Sequence, residues 1–127
     1  MKLIYKLVAY LIKYNIFLSR FKVPFYIKIK NKNIILESNI CISNLNLLLD
    51  ISDYIQYWMF MDGGYELDIC NFLKDKIKGG VFIDIGSNIG AYSLSLCNLA
   101  SNIIAFEASR SSIDLLQKNL DRNNIKN

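Results

Sequence analysis

The chain has 127 residues, of which 53% are hydrophobic and 20% charged, with six glycines and one proline, a composition that excludes a disordered or fibrous protein. Histidine is absent and the three cysteines are widely spaced, so we expect reduced thiols in a cytoplasmic protein, no metal site and no imidazole chemistry. The net charge of +4 is uneven: residues 1–36 carry eight Lys or Arg and no acid, whereas residues 37–127 carry seven bases and eleven acids.

Residues 2–20 have the pattern of one helix with a basic stripe. Lys2, Lys6, Lys13 and Arg20 are spaced by four, seven and seven residues, which places them on one side of a helix. Most other positions are apolar, yet no uncharged run approaches the ~20 residues that span a bilayer. Two interpretations stay open: peripheral contact with the inner face of a membrane, or packing of a terminal helix on the rest of the protein.

The next segments predict a hairpin and two helices. Residues 23–38 alternate apolar and polar side chains around a turn at 31–33, which is typical of two antiparallel strands. Residues 44–61 are rich in aromatic side chains at helical spacing, and residues 66–78 repeat that spacing before the glycine pair at 79–80.

A strand–helix–strand pattern follows. The apolar run at 81–85 is bounded by glycines, as a buried parallel strand is, and leads through a glycine turn into a helix that we expect to reach Leu99. A second apolar run lies at 102–106, and a Ser-x-x-Asp pattern beginning at Ser111 predicts the cap of a last helix. This order predicts an α/β fold, namely the first βαβ unit of a Rossmann-like sheet.

The glycine turn favours a cationic ligand over a dinucleotide. A G-x-G-x-x-G fingerprint ending at Gly90 would need glycines where Ile85 and Ser87 stand. Asp84 stands at the mouth of the strand, where its carboxylate would repel a pyrophosphate and suit an ammonium or a sulfonium. The methionine end of S-adenosylmethionine carries both of these cations and no phosphate.

Glu107 stands where an acid of this fold class binds ribose. It follows Gly86 by 21 residues, close to the ~20 at which such an acid accepts the ribose hydroxyls. A carboxylate that accepts two hydroxyl donors makes a specific, bidentate contact. The alternative is that Asp84 and Glu107 are surface acids and that the glycines are ordinary turn residues.

Two stretches carry a family resemblance: VFIDIGSNIGAYSLSLC, and after it IIAFEASRSSIDLLQKNLDRNNI. They resemble the first half of FkbM-type methyltransferases, whose pattern runs roughly D-x-G-A-N-x-G, then F-E-P, then L-x-x-N. The preceding SDYIQYWMFMDGGYELDICNFLKDKI is similar to the segment that leads into this motif. The resemblance covers about residues 50–126, and the first fifty residues show no specific likeness.

The resemblance implies a Rossmann-like, S-adenosylmethionine-dependent methyltransferase that acts on hydroxyl oxygens of sugars, glycans or other small metabolites. Seven positions would bind the cofactor: Asp84, Gly86, Asn88 and Gly90 at the methionine end, Glu107 at the ribose, and Tyr65 with Glu66 on the approach segment. No catalytic residue is assigned. Ser87 replaces the usual alanine, and Ala108 replaces the usual proline and leaves Glu107 less preorganised.

A methyltransferase of this fold needs about seven strands, and only the first parallel strands are expected here. We therefore expect an incomplete fold, with residues 1–43 as a basic helix plus hairpin and residues 44–127 as the N-terminal half of the domain. A complementing C-terminal chain is the expected partner, and the chain alone should bind the cofactor weakly or not at all. The alternative is a non-catalytic remnant, or a membrane-surface module that uses the basic helix. Nucleic acid is not expected, because the lysines lack a recognition helix or stacking aromatics.

Overall fold

The computed structural model describes residues 2–126, apart from the side chain of Ile16, and has a mixed α/β structure. The helices are α1 (Lys2–Tyr14), α2 (Lys22–Ile29), α3 (Tyr54–Asp62), α4 (Leu67–Lys76), α5 (Ala91–Leu96) and α6 (Arg110–Arg122), with a 3₁₀ helix at Ile16–Phe21. The strands are β1 (Ile35–Ile40), β2 (Leu45–Asp50), β3 (Val81–Ile85) and β4 (Asn102–Phe106).

The N-terminal helix is shorter than predicted. It ends at Tyr14, and Asn15 has an extended backbone whose side-chain oxygen accepts a hydrogen bond from the Phe17 amide at 2.9 Å. This cap starts the 3₁₀ helix, so the prediction of one continuous helix over 2–20 is wrong beyond Tyr14. Across residues 2–126, no helix has the length and apolar character needed to cross a bilayer.

The hairpin predicted at 23–38 is wrong, because its first half is α2. Phe25 and Ile29, four residues apart, are both buried on one side of this helix, whereas Ile27 is exposed. Pro24 is tolerated because it lies in the first helical turn, where its missing amide would have no helical partner. Asn31 and Asn33 both have positive φ, so the predicted turn exists but leads from a helix into β1.

The antiparallel hairpin lies farther along the chain and is formed by β1 and β2. Its register runs from Ile35 opposite Asp50 to Ile40 opposite Leu45. The prediction of a helix over 44–61 is wrong for its first part, because burial alternates along β2. The helix begins only after Asp53, whose side chain accepts from the Gln56 amide at 3.0 Å. The boundary expected between residues 1–43 and 44–127 lies in the turn of this hairpin.

The predicted βαβ pattern is present as β3–α5–β4, in which β3 and β4 pair in parallel with Val81 opposite Asn102 and Ile85 opposite Phe106. Helix α4 is confirmed within the range 66–78. Helix α5 is shorter than predicted, since it ends at Leu96. The cap of α6 is Ser109 rather than Ser111, because the Ser109 hydroxyl accepts from the Ser112 amide at 3.5 Å.

One hydrophobic core joins the N-terminal helices to the βαβ unit. It includes buried side chains from α1, α2, the hairpin, α3, the glycine turn and α5: Ala9, Ile12, Phe25, Leu36, Leu47, Phe60, Ile89 and Leu94 among others. A smaller cluster covers one face of the parallel strands and is centred on Ile77, Leu96 and Ala100. The two parts of the chain therefore fold against each other.

The other face of the parallel strands is apolar and open. Val81, Ile83 and Ile85 of β3 lie on this face beside Ile104 and Phe106 of β4, and all five are exposed, Ile85 to 82%. Parallel sheets normally bury both faces. We call these five residues the open sheet face.

Candidate functional site

The glycine loop, residues 86–90, joins the carboxyl end of β3 to α5. The amides of Gly86 and Ser87 both donate to the Phe106 carbonyl, at 2.9 and 3.0 Å. The Gly90 amide donates to the Ser87 carbonyl at 2.7 Å, which closes the loop on itself. The loop is therefore tied to the ends of both parallel strands, the region where ligands bind in open α/β sheets.

The two glycines of the loop meet different surroundings. Both have positive φ, +77° at Gly86 and +82° at Gly90. A Cβ at Gly90 would lie 2.7 Å from Cδ1 of Leu116 and 3.2 Å from Cγ of Leu94, whereas a Cβ at Gly86 would meet no atom within 4 Å. Gly90 thus lets α6 pack closely on the loop, and Gly86 leaves open space at the strand end.

Glu107 directly follows β4 and holds the loop. One carboxylate oxygen accepts from the Asn88 amide and the other from the Ser109 amide, each at 2.7 Å. These hydrogen bonds, from Ser109 first and Asn88 second, hold the pKa of the Glu107 carboxyl below its usual value. Each oxygen has a further lone pair, so the ionised carboxylate can also accept hydroxyl donors from a ligand.

Asn88 connects Glu107 to the backbone conformation of the loop. Its φ is +52°, in the left-handed region that asparagine tolerates better than most side chains. This conformation accompanies the hydrogen bond that its amide donates to Glu107. Asn88 therefore binds Glu107 through its backbone amide.

Asp84 lies on the helix side of β3 and is buried. Its Oδ2 accepts from the Ser93 hydroxyl at 2.6 Å and from the Ser93 amide at 3.2 Å. The carboxylate therefore anchors α5 to the strand.

Tyr65 and Glu66 reach the same region through Tyr92, the second residue of α5. The Tyr92 hydroxyl donates to the Glu66 carboxylate, and the Tyr65 and Tyr92 rings are in edge contact with centroids 5.9 Å apart. Burial and the hydrogen bond to Glu66 raise the pKa of the Tyr92 hydroxyl, and burial raises that of Tyr65. Both tyrosines are protonated at neutral pH, so they are donors toward Glu66.

Glu66 holds an uncommon backbone conformation for its type. Its φ is +43° and its ψ is 57°, in the left-handed region, and it directly precedes α4. Such strain persists where surrounding contacts over-determine it, and it is frequent at ligand sites. Glu66 is held from both ends: its carboxylate accepts from Tyr92, and its carbonyl accepts from the Cys70 amide at 3.0 Å.

Ser87 carries the polar atom of the loop that the fold leaves unsatisfied. Its hydroxyl is buried, and among the described residues it has no hydrogen-bond partner. A buried hydroxyl without a partner is uncommon and is a candidate ligand contact. The residues at this end of the sheet therefore fit S-adenosylmethionine in chemistry: two carboxylates, an orphaned hydroxyl and open space at Gly86.

The structure brings the predicted site residues into one region. Asp84, Gly86, Asn88, Gly90 and Glu107 lie at the carboxyl ends of β3 and β4, and the Tyr65–Glu66 pair joins them through α5. Sequence reasoning missed Tyr92, Ser93 and Ser109. The first two stand two and three positions after Gly90, inside the motif itself, which is the signal that could have identified them. Within residues 2–126, no group of three His, Cys, Asp or Glu side chains could hold a metal ion.

No protein-family model matches the chain, and no curated protein is similar to it at a significant level.

Proposed function

We propose that this chain carries the S-adenosylmethionine site of a methyltransferase with a Rossmann-like fold. The observation that carries the proposal is the glycine loop held by Glu107 at the ends of two parallel strands. An acid in this position, after the second strand, is suited to ribose hydroxyls. The FkbM-type resemblance of residues 50–126 supports the same assignment.

Each residue of the proposed site has a role that its chemistry suits. Glu107, a carboxylate at neutral pH whose pKa is lowered further by its amide donors, accepts the ribose hydroxyls, and the Ser87 hydroxyl contacts a polar atom of the ligand. Asp84 and Glu66 provide negative charge toward the ammonium and sulfonium of the methionine end. Gly86 lets the ligand approach the backbone, since no side chain fills that space.

The cofactor, when bound, supplies a methyl group activated by its sulfonium. The chain contributes binding and orientation to this reaction, and the two carboxylates favour the cationic ligand over a phosphate-containing one. The proposed acceptor is a hydroxyl of a sugar, glycan or small metabolite, which the family resemblance suggests. We assign no catalytic base among residues 2–126.

A complementing chain is the partner that we propose for the open sheet face. Its five exposed apolar side chains are the kind of surface that further strands and helices of a Rossmann-like fold would cover. The free edge of β3 supports this, because β3 pairs with β4 on one side only among the described residues.

A thermodynamic cycle that combines the substitution of Glu107 with removal of the ribose hydroxyls tests the ribose contact. In the chain, combined with its complementing partner where one is identified, Glu107→Ala should weaken S-adenosylhomocysteine binding about tenfold to hundredfold, because a charge-assisted bidentate contact is lost. The 2′,3′-dideoxy analogue should bind the wild type more weakly by a similar factor. Isothermal titration calorimetry or ligand-observed NMR would measure both ligands on both proteins.

The cycle separates a ribose contact from a purely structural role of Glu107. If Glu107 binds the ribose, removing the hydroxyls should have little further effect in the Glu107→Ala variant. If Glu107 only holds the loop, the variant should weaken both ligands by the same factor, and that additive result would contradict the assignment. Glu37→Ala, which removes an acid of the hairpin, is the matched control and should leave both affinities unchanged.

A further inference from the structure

We propose that α1 and the groove beside it form a docking surface for an anionic lipid membrane. The outer face of α1 consists of Leu3, Ile4, Leu7, Leu11 and Tyr14, which are all exposed. This surface is separate from the glycine loop and serves a function beyond methyl transfer, namely attachment of the protein to a bilayer. The inference does not depend on the proposed cofactor site.

The side of α1 that faces away from the protein is apolar, the reverse of an ordinary surface helix. Ala9 and Ile12 are buried against the core, whereas Leu3, Leu7 and Leu11, spaced four apart, lie on the outer side and are 78%, 62% and 51% exposed. A packed terminal helix would place polar residues there. Contiguous exposed aliphatic side chains mark an interaction surface.

An apolar groove extends this surface beyond α1. It has a volume of about 320 Å³ and lies between α1, the 3₁₀ helix and α2. Leu11 of the outer face also lines the groove, together with Phe21 and Phe25, and Lys28 is the charged residue at its wall. Phe17, in the 3₁₀ helix, is 82% exposed. The groove can therefore accept hydrocarbon, and the aromatic rings suit the boundary between headgroups and acyl chains.

Positive charge accompanies these apolar groups. Arg20, Lys28, Lys30 and Lys32 are exposed, and residues 1–36 contain no acid. Arg20 lies over the Phe21 ring and Lys32 over the Tyr5 ring of α1, contacts that leave the charges of both residues unpaired with an acid among residues 2–126. Three other lysines are committed within the protein: Lys2 donates to the Asn33 carbonyl at 3.1 Å, Lys13 donates to the Ser38 hydroxyl at 2.8 Å, and Lys22 pairs with Asp62 at 2.8 Å. The exposed bases are thus available to anionic headgroups, to which such residues are attracted near a membrane surface.

The combination selects an anionic lipid surface over other occupants. A second copy of this chain would bring the same positive charge to the interface, which disfavours self-association. A nucleic acid would use the bases but not the exposed aliphatic side chains of α1. An anionic bilayer satisfies both, with the helix lying in the plane of the interface rather than crossing it.

Vesicle sedimentation of the full chain tests the proposal. Wild type should co-sediment with phosphatidylglycerol vesicles and at least tenfold less with phosphatidylcholine vesicles. The double variant Leu3→Ser with Leu7→Ser should reduce the partition coefficient on phosphatidylglycerol at least tenfold, and so should the triple variant Lys28→Gln, Lys30→Gln and Lys32→Gln. These side chains are exposed, so the variants should keep the wild-type circular dichroism spectrum.

Matched variants control for non-specific hydrophobic binding to vesicles and for net charge. Ile83→Ser with Ile85→Ser removes exposed aliphatic groups from the open sheet face, and Lys76→Gln, Lys78→Gln and Lys126→Gln removes three charges elsewhere. Both should bind vesicles like the wild type. Absence of binding to phosphatidylglycerol, or an equal loss in these controls, would overturn the proposal. So would a Leu3→Ser, Leu7→Ser variant that dissociates a dimer of the wild type without changing its vesicle binding.

The depth of tryptophan insertion into the bilayer is an independent test, because it is measured on variants that still bind the vesicles. In a Trp58→Phe background, a tryptophan introduced by Phe17→Trp should be quenched by brominated phosphatidylglycerol. A tryptophan introduced by Phe72→Trp, on the exposed side of α4, should not be quenched. Equal quenching at both positions, or none at either, would contradict insertion of this surface.

Discussion

Gly86 and Gly90 show how the same backbone conformation can serve two purposes. Both residues have φ near +80°, which side chains other than glycine rarely adopt. At Gly90 the requirement is doubled, because Leu116 of α6 lies where a Cβ would be. At Gly86 the space is open, so its glycine is needed for the backbone and for access by a ligand. Gly90 therefore serves packing, and Gly86 serves the proposed site.

We expect Gly90→Ala to lower the free energy of unfolding more than Gly79→Ala does, because only at Gly90 would the new methyl group also meet other side chains. A residue with a Cβ in the left-handed region costs about 1–2 kcal/mol, and overpacking against Leu116 and Leu94 adds about 1–3 kcal/mol. Gly79→Ala is the control, because Gly79 has φ +72° and nothing within 4 Å of its Cβ position. Urea unfolding would measure both, and an equal loss in the two variants would contradict the close packing at Gly90.

The motif residues could be predicted from the sequence, but their partners could not. The spacing of Asp84, the glycines and Glu107 specifies where these residues lie, at the ends of adjacent strands. It does not specify that Asp84 binds Ser93, because side-chain direction follows from the alternation along β3 and from the position of α5. The N-cap at Ser109 was missed because Ser111, three residues before Asp114, fits the Ser-x-x-Asp pattern and Ser109 does not.

Helix α6 binds the edge of β2 through two asparagines one turn apart. The Asn119 side chain accepts from the Leu48 amide at 2.7 Å and donates to the Leu48 carbonyl at 3.1 Å. Asn123 makes the same pair of contacts with Asn46, at 3.1 and 3.2 Å. Each asparagine thus replaces one residue of a neighbouring strand, and together they satisfy a strand edge that would otherwise be open.

The buried member of this pair should contribute most to stability. Asn119 is fully buried, so Asn119→Ala leaves the Leu48 amide and carbonyl without partners and should cost about 2–4 kcal/mol. Asn123 is half-buried and faces an exposed residue, so Asn123→Ala should cost about 1 kcal/mol or less. Urea unfolding gives both values, and hydrogen exchange at the Leu48 amide should accelerate in the first variant alone. Similar costs for the two substitutions would contradict the strand-edge role of Asn119.

Elements with strong local signals could be predicted, and those built from short apolar runs could not. The strands at 81–85 and 102–106 are bounded by glycine or polar residues, and both are confirmed. Residues 22–29 and 45–50 are mostly apolar segments of eight and six residues with polar positions among them, and at such lengths periodicity does not distinguish a helix from a strand. Tertiary packing decides them: Phe25 and Ile29 meet the core from a helix, and Leu47 and Leu49 meet it from a strand.

At the scale of the whole molecule, the described residues form a main hydrophobic core and a smaller apolar cluster, and they leave two apolar surfaces exposed. The open sheet face and the outer face of α1 both expose aliphatic side chains, yet they differ in their surroundings. The first is bordered by a strand edge and carries no basic residue, which suits further protein structure. The second lies in the segment that contains eight bases and no acid, which suits an anionic membrane. The composition indicated this asymmetry, but only the structure separates the two surfaces.

The central claim is that the glycine loop and Glu107 bind S-adenosylmethionine, and chemical-shift mapping tests it most directly. The site is open at Gly86 and borders the open sheet face, so the chain alone should bind weakly, in the millimolar range. Titrating the 15N-labelled chain with S-adenosylmethionine should shift the amide resonances of residues 86–92 and 107–109. These shifts should be smaller in the Glu107→Ala variant. Shifts confined to the groove beside α1, or shifts of equal size in the Glu107→Ala variant, would contradict the account.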